Sequence, residues 1–158
     1  MDFTLFQIGE AEEHKDKKGN DCLTLTKKGK KEVVASARGL NRLIPRKVKI
    51  QVWSSMSLPA SETAELIAEE LGVKRKLLKK LDSNDLPTVL SIAFANNIDD
   101  HIVIVGSQEN IEDWILRLTG ICLTFAASAA AGLTIHPETP DKADLLWFLQ
   151  PKYLKNIG

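Results

Sequence analysis

Several things are scarce in this sequence, and each scarcity excludes something. Cysteine occurs twice in 158 residues, at Cys22 and Cys122, with no CxxC spacing. That excludes a disulfide framework and a clustered zinc site, and no metal or other cofactor is expected. Histidine occurs three times and aromatic residues make up 6%. No run of 18 apolar residues exists. The nearest, 121–135, is interrupted by Thr124, Ser128, Gly132 and Thr134, so no membrane-spanning helix is expected. The first residues, MDFTLFQIGEAEEHK, lack the basic start and long apolar core of a signal peptide. A cytoplasmic protein with reduced thiols is the expectation. Net charge is also missing: 21 Lys/Arg balance 21 Asp/Glu. That argues against nucleic-acid affinity spread over the whole protein, which runs on excess cationic charge.

The zero balance hides an asymmetry. Residues 1–80 hold 17 basic and 11 acidic side chains, and residues 81–158 hold 4 and 10. Basic residues recur through 27–49 (Lys27, Lys28, Lys30, Lys31, Arg38, Arg42, Arg46, Lys47, Lys49) and again through 74–80. Two readings stand side by side. One is an anionic partner docking on the 27–49 region; the other is a set of solvated helix faces and strand ends. No aromatic residues interleave the basic ones, as stacking on nucleic acid would require.

What is present reads as alternating strands and helices. Residues 3–8 are a short apolar run suited to a buried strand, and the polar stretch 9–21 reads as a loop. Thr26 is placed to cap a helix running to Leu43, with Val33, Val34, Ala37 and Leu40 at helical spacing. Pro45 stops it. Residues 48–53 alternate as a second strand. Pro59 suits the first turn of a helix ending at Gly72. Residues 73–81 suit an edge strand and 86–95 a helix. The unbroken β-branched run 102–105 is a strand covered on both faces. Ser107 then caps a helix to Leu118, and 129–135 and 145–149 are closing strands. This alternation predicts a three-layer α/β/α sandwich with a mostly parallel central sheet. In such sheets ligands sit at the carboxyl ends of the strands. The loops 7–12, 54–61, 83–85 and 106–110 are therefore where chemistry is expected.

Those loops carry a pattern in order. Leu25-Thr26-Lys27-Lys28-Gly29 follows the first loop. Ser54-Ser55-Met56-Ser57-Leu58-Pro59-Ala60-Ser61-Glu62-Thr63-Ala64 follows the second strand. Val105-Gly106-Ser107-Gln108-Glu109-Asn110 follows the β-branched strand, and Leu145-Leu146-Trp147-Phe148-Leu149-Gln150-Pro151-Lys152 lies close to the C-terminus. The chain resembles the SixA-type phosphohistidine phosphatases of the histidine phosphatase (phosphoglycerate mutase-like) superfamily. The resemblance covers nearly the whole chain and implies one SixA-like domain over residues 1–158. It implies a site in which a histidine of an Arg-His-Gly motif attacks phosphorus, two arginines neutralise the phosphoryl oxygens and a second histidine completes the pocket.

The matching positions hold other residues. Gln7 stands at the first arginine position and Ile8 at the nucleophile position, with Gly9 and Glu10 fixing the register. Pro59 stands at the second arginine position and Ser107 at the second histidine position. Ile8 has no lone pair, so covalent phosphoryl transfer cannot start there. Each lost charge-assisted hydrogen bond removes about 1.5–3 kcal/mol of phosphate affinity. The resemblance thus implies a catalytically inactive domain serving as a binding or regulatory module. Its partner is an unknown protein or a small polar ligand held by Ser54, Ser55, Ser57, Ser61, Gln108 and Asn110, with no membrane. The alternative is a divergent phosphohistidine or phosphomonoester phosphatase using another nucleophile. His14, in the charged loop, and Ser107 are its candidates. His101 falls at the amino end of its strand and His136 near the C-terminal strands. Asp85 lies near the family's acidic loop.

Overall fold

A computed structural model of the chain describes residues 1–96 and 99–158. The strands are β1 (Asp2–Gln7), β2 (Ala11–Lys15), β3 (Asp21–Leu25), β4 (Ile50–Ser54), β5 (Arg75–Leu77), β6 (His101–Gly106), β7 (Ala130–Ile135) and β8 (Ala143–Leu149). The helices are α1 (Lys27–Leu43), α2 (Leu58–Leu71), α3 (Leu86–Asn96), α4 (Gln108–Thr119) and α5 (Pro151–Leu154). Six strands form the central sheet in the order β5-β4-β6-β1-β7-β8. The first four are mutually parallel, while β7 and β8 are antiparallel to their neighbours.

Side-chain alternation along the strands sends successive residues to two separate cores. Phe3, Leu5, Ile102 and Ile104 pack with α3 and α4 on one face. Phe6, Val52, Val103 and Val105 pack with α1, α2 and α5 on the other. The result is the expected three-layer sandwich. All six residues of β6 are buried, as its β-branched run requires of a strand with neighbours on both sides and helices above and below.

Local signals set most helix ends. The Thr26 hydroxyl accepts the Gly29 N–H at 2.9 Å, and the Ser107 hydroxyl accepts the Asn110 N–H at 3.4 Å. Gly72 and Gly120 end α2 and α4 in left-handed backbone.

Four expectations need correction. The stretch 9–21 is not a plain loop but holds β2 and opens β3, which pair as a separate two-stranded sheet. Glu12, Glu13, His14 and Lys15 are all exposed, so no apolar face marked the strand. Its turn is closed by Asp16, whose carboxylate accepts the N–H groups of Lys18 and Asn20. The strand expected at 73–81 shrinks to three residues, because Leu81 turns inward and buries through a 3-10 turn at Lys79–Leu81. The strand expected at 48–53 is displaced to Ile50–Ser54, since Val48 N–H is taken by the Pro45 carbonyl in a turn. The short helix α5 was not anticipated; it lays Leu154 against α1 where Gly39 has no side chain.

Candidate functional site

The carboxyl ends of β4, β6 and β1 lie side by side, and the sheet brings the four replaced positions there. Gln7 is the last residue of β1 and pairs with Gly106. Ile8 follows, its N–H held by the Gly106 carbonyl at 3.1 Å. Pro59 sits in the first turn of α2 beyond β4, and Ser107 caps α4 directly after β6. Pro59 is buried and Ile8 and Ser107 are half-buried.

The loop after β1 is fastened from three sides. Gly9 N–H donates to the Thr63 hydroxyl at 3.1 Å, and that hydroxyl donates to the Pro59 carbonyl at 2.8 Å. Glu10 accepts the Thr26 hydroxyl at 3.0 Å, and its carboxylate lies 3.7 Å from the Lys28 ammonium. Gly29 packs its backbone on Glu10, leaving no room there for a side chain. Glu62 accepts the Leu25 N–H at 3.2 Å. Both carboxylates near the cleft are therefore spent on scaffold.

The serines expected to line a ligand pocket divide. Ser54 is fully buried and donates to the Ser55 carbonyl at 2.9 Å. The Ser55 and Ser57 hydroxyls lie 3.4 Å apart. Ser61 is half-buried on α2 and Gln108 is exposed at the start of α4. The Asn110 amide donates to the Leu81 carbonyl at 3.4 Å, tying α4 to the 3-10 turn. Asp82 accepts the Met56 N–H through both carboxylate oxygens at 3.1 Å.

Two polar atoms here are buried without a partner. They are Gln7 Oε1 and Ser128 Oγ, on residues 9% and 0% exposed. Ser128 has left-handed backbone (φ 65°) immediately before Ala129, whose carbonyl accepts the Gln7 N–H at 2.9 Å. Nothing in the sequence singled out Ser128, which lies in a run of small residues.

The remaining candidates lie elsewhere. His14 is exposed on the β2–β3 hairpin, with Nδ1 3.2 Å from the Thr24 hydroxyl. His136 is exposed, 3.8 Å from Asp144. His101 is buried at the amino end of β6, 2.7 Å from the Thr4 hydroxyl. Burial pushes its pKa down to about 4, against a smaller upward pull from Asp2. Asp85 is half-buried ahead of α3; hydrogen bonds from the Thr88 side chain and backbone hold its carboxyl below the usual range. It acts as a helix cap. Among the described residues, no group of three or more His, Cys, Asp or Glu could hold a metal ion, and no helix is long and apolar enough to cross a membrane.

No family model and no curated protein matches the sequence. Solved structures do. The protein histidine phosphatase SixA, in a structure complexed with tungstate, superposes with a TM-score of 0.80 at 22% identity, covering 98% of this chain and 99% of that one. The chain has the SixA fold. SixA from Agrobacterium tumefaciens superposes at 0.69 with 18% identity over 95% of this chain and 97% of its own. The mycobacterial glucosyl-3-phosphoglycerate phosphatase does so at 0.69 with 13% identity, over 94% and 98%. The SixA fold thus runs essentially end to end through this chain.

Proposed function

We propose that this chain is a catalytically silent member of the histidine phosphatase fold that works as a binding or regulatory module. One observation carries the reading: Ile8, a side chain with no lone pair, follows β1 where the resemblance calls for the nucleophilic imidazole. The three neighbouring positions reinforce it. Gln7 and Ser107 are neutral, and Pro59 offers neither charge nor N–H, so a phosphoryl dianion has no fixed cation from these positions.

The cleft in this reading holds a neutral polar ligand. The groups around these loops include the uncharged hydroxyls and amide of Ser55, Ser57, Ser61 and Gln108, which suit hydrogen bonding and not charge neutralisation. Against a divergent phosphatase stands the bonding of its two candidate nucleophiles: His14 faces Thr24 on an exposed hairpin, and Ser107 is engaged by Asn110.

The test is turnover of p-nitrophenyl phosphate and of a phosphohistidine peptide by the purified chain. No hydrolysis above the blank is expected. Metal-independent turnover that disappears in Ser107→Ala or His14→Ala would overturn the proposal and establish the divergent enzyme.

A further inference from the structure

The opposite end of the sheet carries a second surface, unrelated to the replaced phosphatase positions. An open groove of about 1150 Å³ lies at the amino ends of β4 and β5, beneath the last turns of α1 and α2. Ile44, Val52 and Leu71 contribute to an apolar floor. The rim is cationic: Arg42 and Arg46 at and after the end of α1, Lys49 before β4, and Lys74 and Lys76 at β5. All five are exposed, and among the described residues no Asp or Glu lines the groove. Among the described residues none of Arg42, Arg46, Lys49 and Lys74 forms a salt bridge. Lys76 lies 5.5 Å from the centroid of the Trp53 ring.

The fold makes this cluster by splitting the basic run of the sequence. Lys27, Lys28, Lys30 and Lys31 stay at the start of α1, where Lys28 meets Glu10. Arg42, Arg46 and Lys49 are carried to the far end and joined there by Lys74 and Lys76.

We propose that this groove docks an acidic peptide segment with an apolar side chain seated on its floor. Charge complementarity selects the sign of the partner: five exposed cations with no counter-charge in the lining create a positive field that an acidic chain neutralises. The floor selects a partner with apolar side chains rather than a bare anion. Among the described residues no aromatic ring lines the groove, so it offers no stacking platform for a nucleobase. An extended peptide supplies both carboxylates for the rim and side chains for the floor. β5, which supplies Lys76, is a terminal strand of the sheet, paired only with β4 among the described residues. Lysines on such a strand disfavour pairing with a neutral strand and repel cations, while they favour an acidic one. The volume of about 1150 Å³ exceeds the small-ligand range of about 300–1,000 Å³, leaving room for an extended segment.

The experiment uses the full chain and a fluorescein-labelled synthetic peptide of alternating Glu and Leu, read by anisotropy. Saturable binding is expected, weakening at least about tenfold between about 50 and about 300 mM salt. Replacing Leu by Ser in the peptide is expected to abolish it. Arg46→Glu/Lys49→Glu is expected to weaken binding at least about tenfold, and so is Lys74→Glu as a second, independent variant. Lys17→Glu/Lys18→Glu, in the exposed β2–β3 turn, makes the same charge change as the double variant and is expected to bind normally. Three results would overturn the proposal. They are no binding at low salt, equal loss in the Lys17/Lys18 variant, or tighter binding of a nucleoside triphosphate or RNA oligonucleotide at the same residues. None of these outcomes bears on phosphatase turnover at the other end of the sheet.

Discussion

The Gly9 backbone N–H and the Thr63 hydroxyl meet at 3.1 Å across 54 positions of sequence. The same hydroxyl donates to Pro59, so one side chain joins the loop after β1 to the start of α2. Thr63 is fully buried, so solvent does not readily satisfy a partner that loses it. Thr63→Val should destabilise the chain by about 1–3 kcal/mol through the orphaned Gly9 N–H, while Thr63→Ser should recover much of that. Urea unfolding of the three proteins checks this; equal midpoints would show the bond is idle.

Gln7 Oε1 has the opposite status, a buried acceptor with no donor. Gln7→Leu removes it at similar volume and should leave stability unchanged or raise it by about 1 kcal/mol. A clear loss of stability would mean that the amide is held by a bound molecule in solution.

His101 makes stability depend on pH. Its folded-state pKa of about 4 lies below the unfolded value near 6.5, so between those limits the unfolded chain binds more protons. Its contribution is therefore complete above about pH 6.5 and is lost as pH falls toward 4, by up to about 3 kcal/mol. Guanidinium unfolding at pH 7.5, 6, 5 and 4 should show the decline. His101→Gln, which can still face Thr4, should flatten that part of the curve.

Two helical glycines should defy helix propensity. Gly→Ala inside a helix ordinarily stabilises by about 1 kcal/mol. In α1, an added Cβ at Gly29 would strike the Glu10 backbone, and one at Gly39 would strike the Leu154 carbonyl. Gly29→Ala and Gly39→Ala should each lower the Tm, at an overpacking cost of about 1–3 kcal/mol. A Tm rise in either would mean that the backbone yields freely.

Restoring the cleft provides a positive counterpart. Gln7→Arg, Ile8→His, Pro59→Arg and Ser107→His together should confer tungstate binding, measured by calorimetry, that the unaltered chain lacks. Binding of equal strength by both proteins would show that the oxyanion site never depended on these positions.

Elements with strong local signals were legible in the sequence. The β-branched run of β6, the Thr26 and Ser107 caps and the Gly72 stop each carry their cause within a few residues. The order of the four replaced positions was legible too, because β1, β4 and β6 deliver them to one end of a parallel sheet. What escaped depends on distant partners. Strand β2 is exposed from Glu12 to Lys15, so its alternation had nothing apolar to reveal. Ser128 comes next to Ala129, the partner of Gln7, only because β7 runs beside β1. The basic groove required Lys74 and Lys76 to meet Arg42 and Arg46, thirty residues or so away along the chain, and no spacing rule encodes that meeting.

Helix α1 has 17 residues, a rod of about 25 Å. Its first turn presses on the loop bearing Ile8, and its last turn shapes the wall holding Arg42. Material bound at one extremity is too far from the other to touch it. A tilt or slide of this stiff shaft, which the glycine notches at Gly29 and Gly39 seat against its bearings, would carry news from one to the other, as would α2, which runs from Leu58 to Leu71.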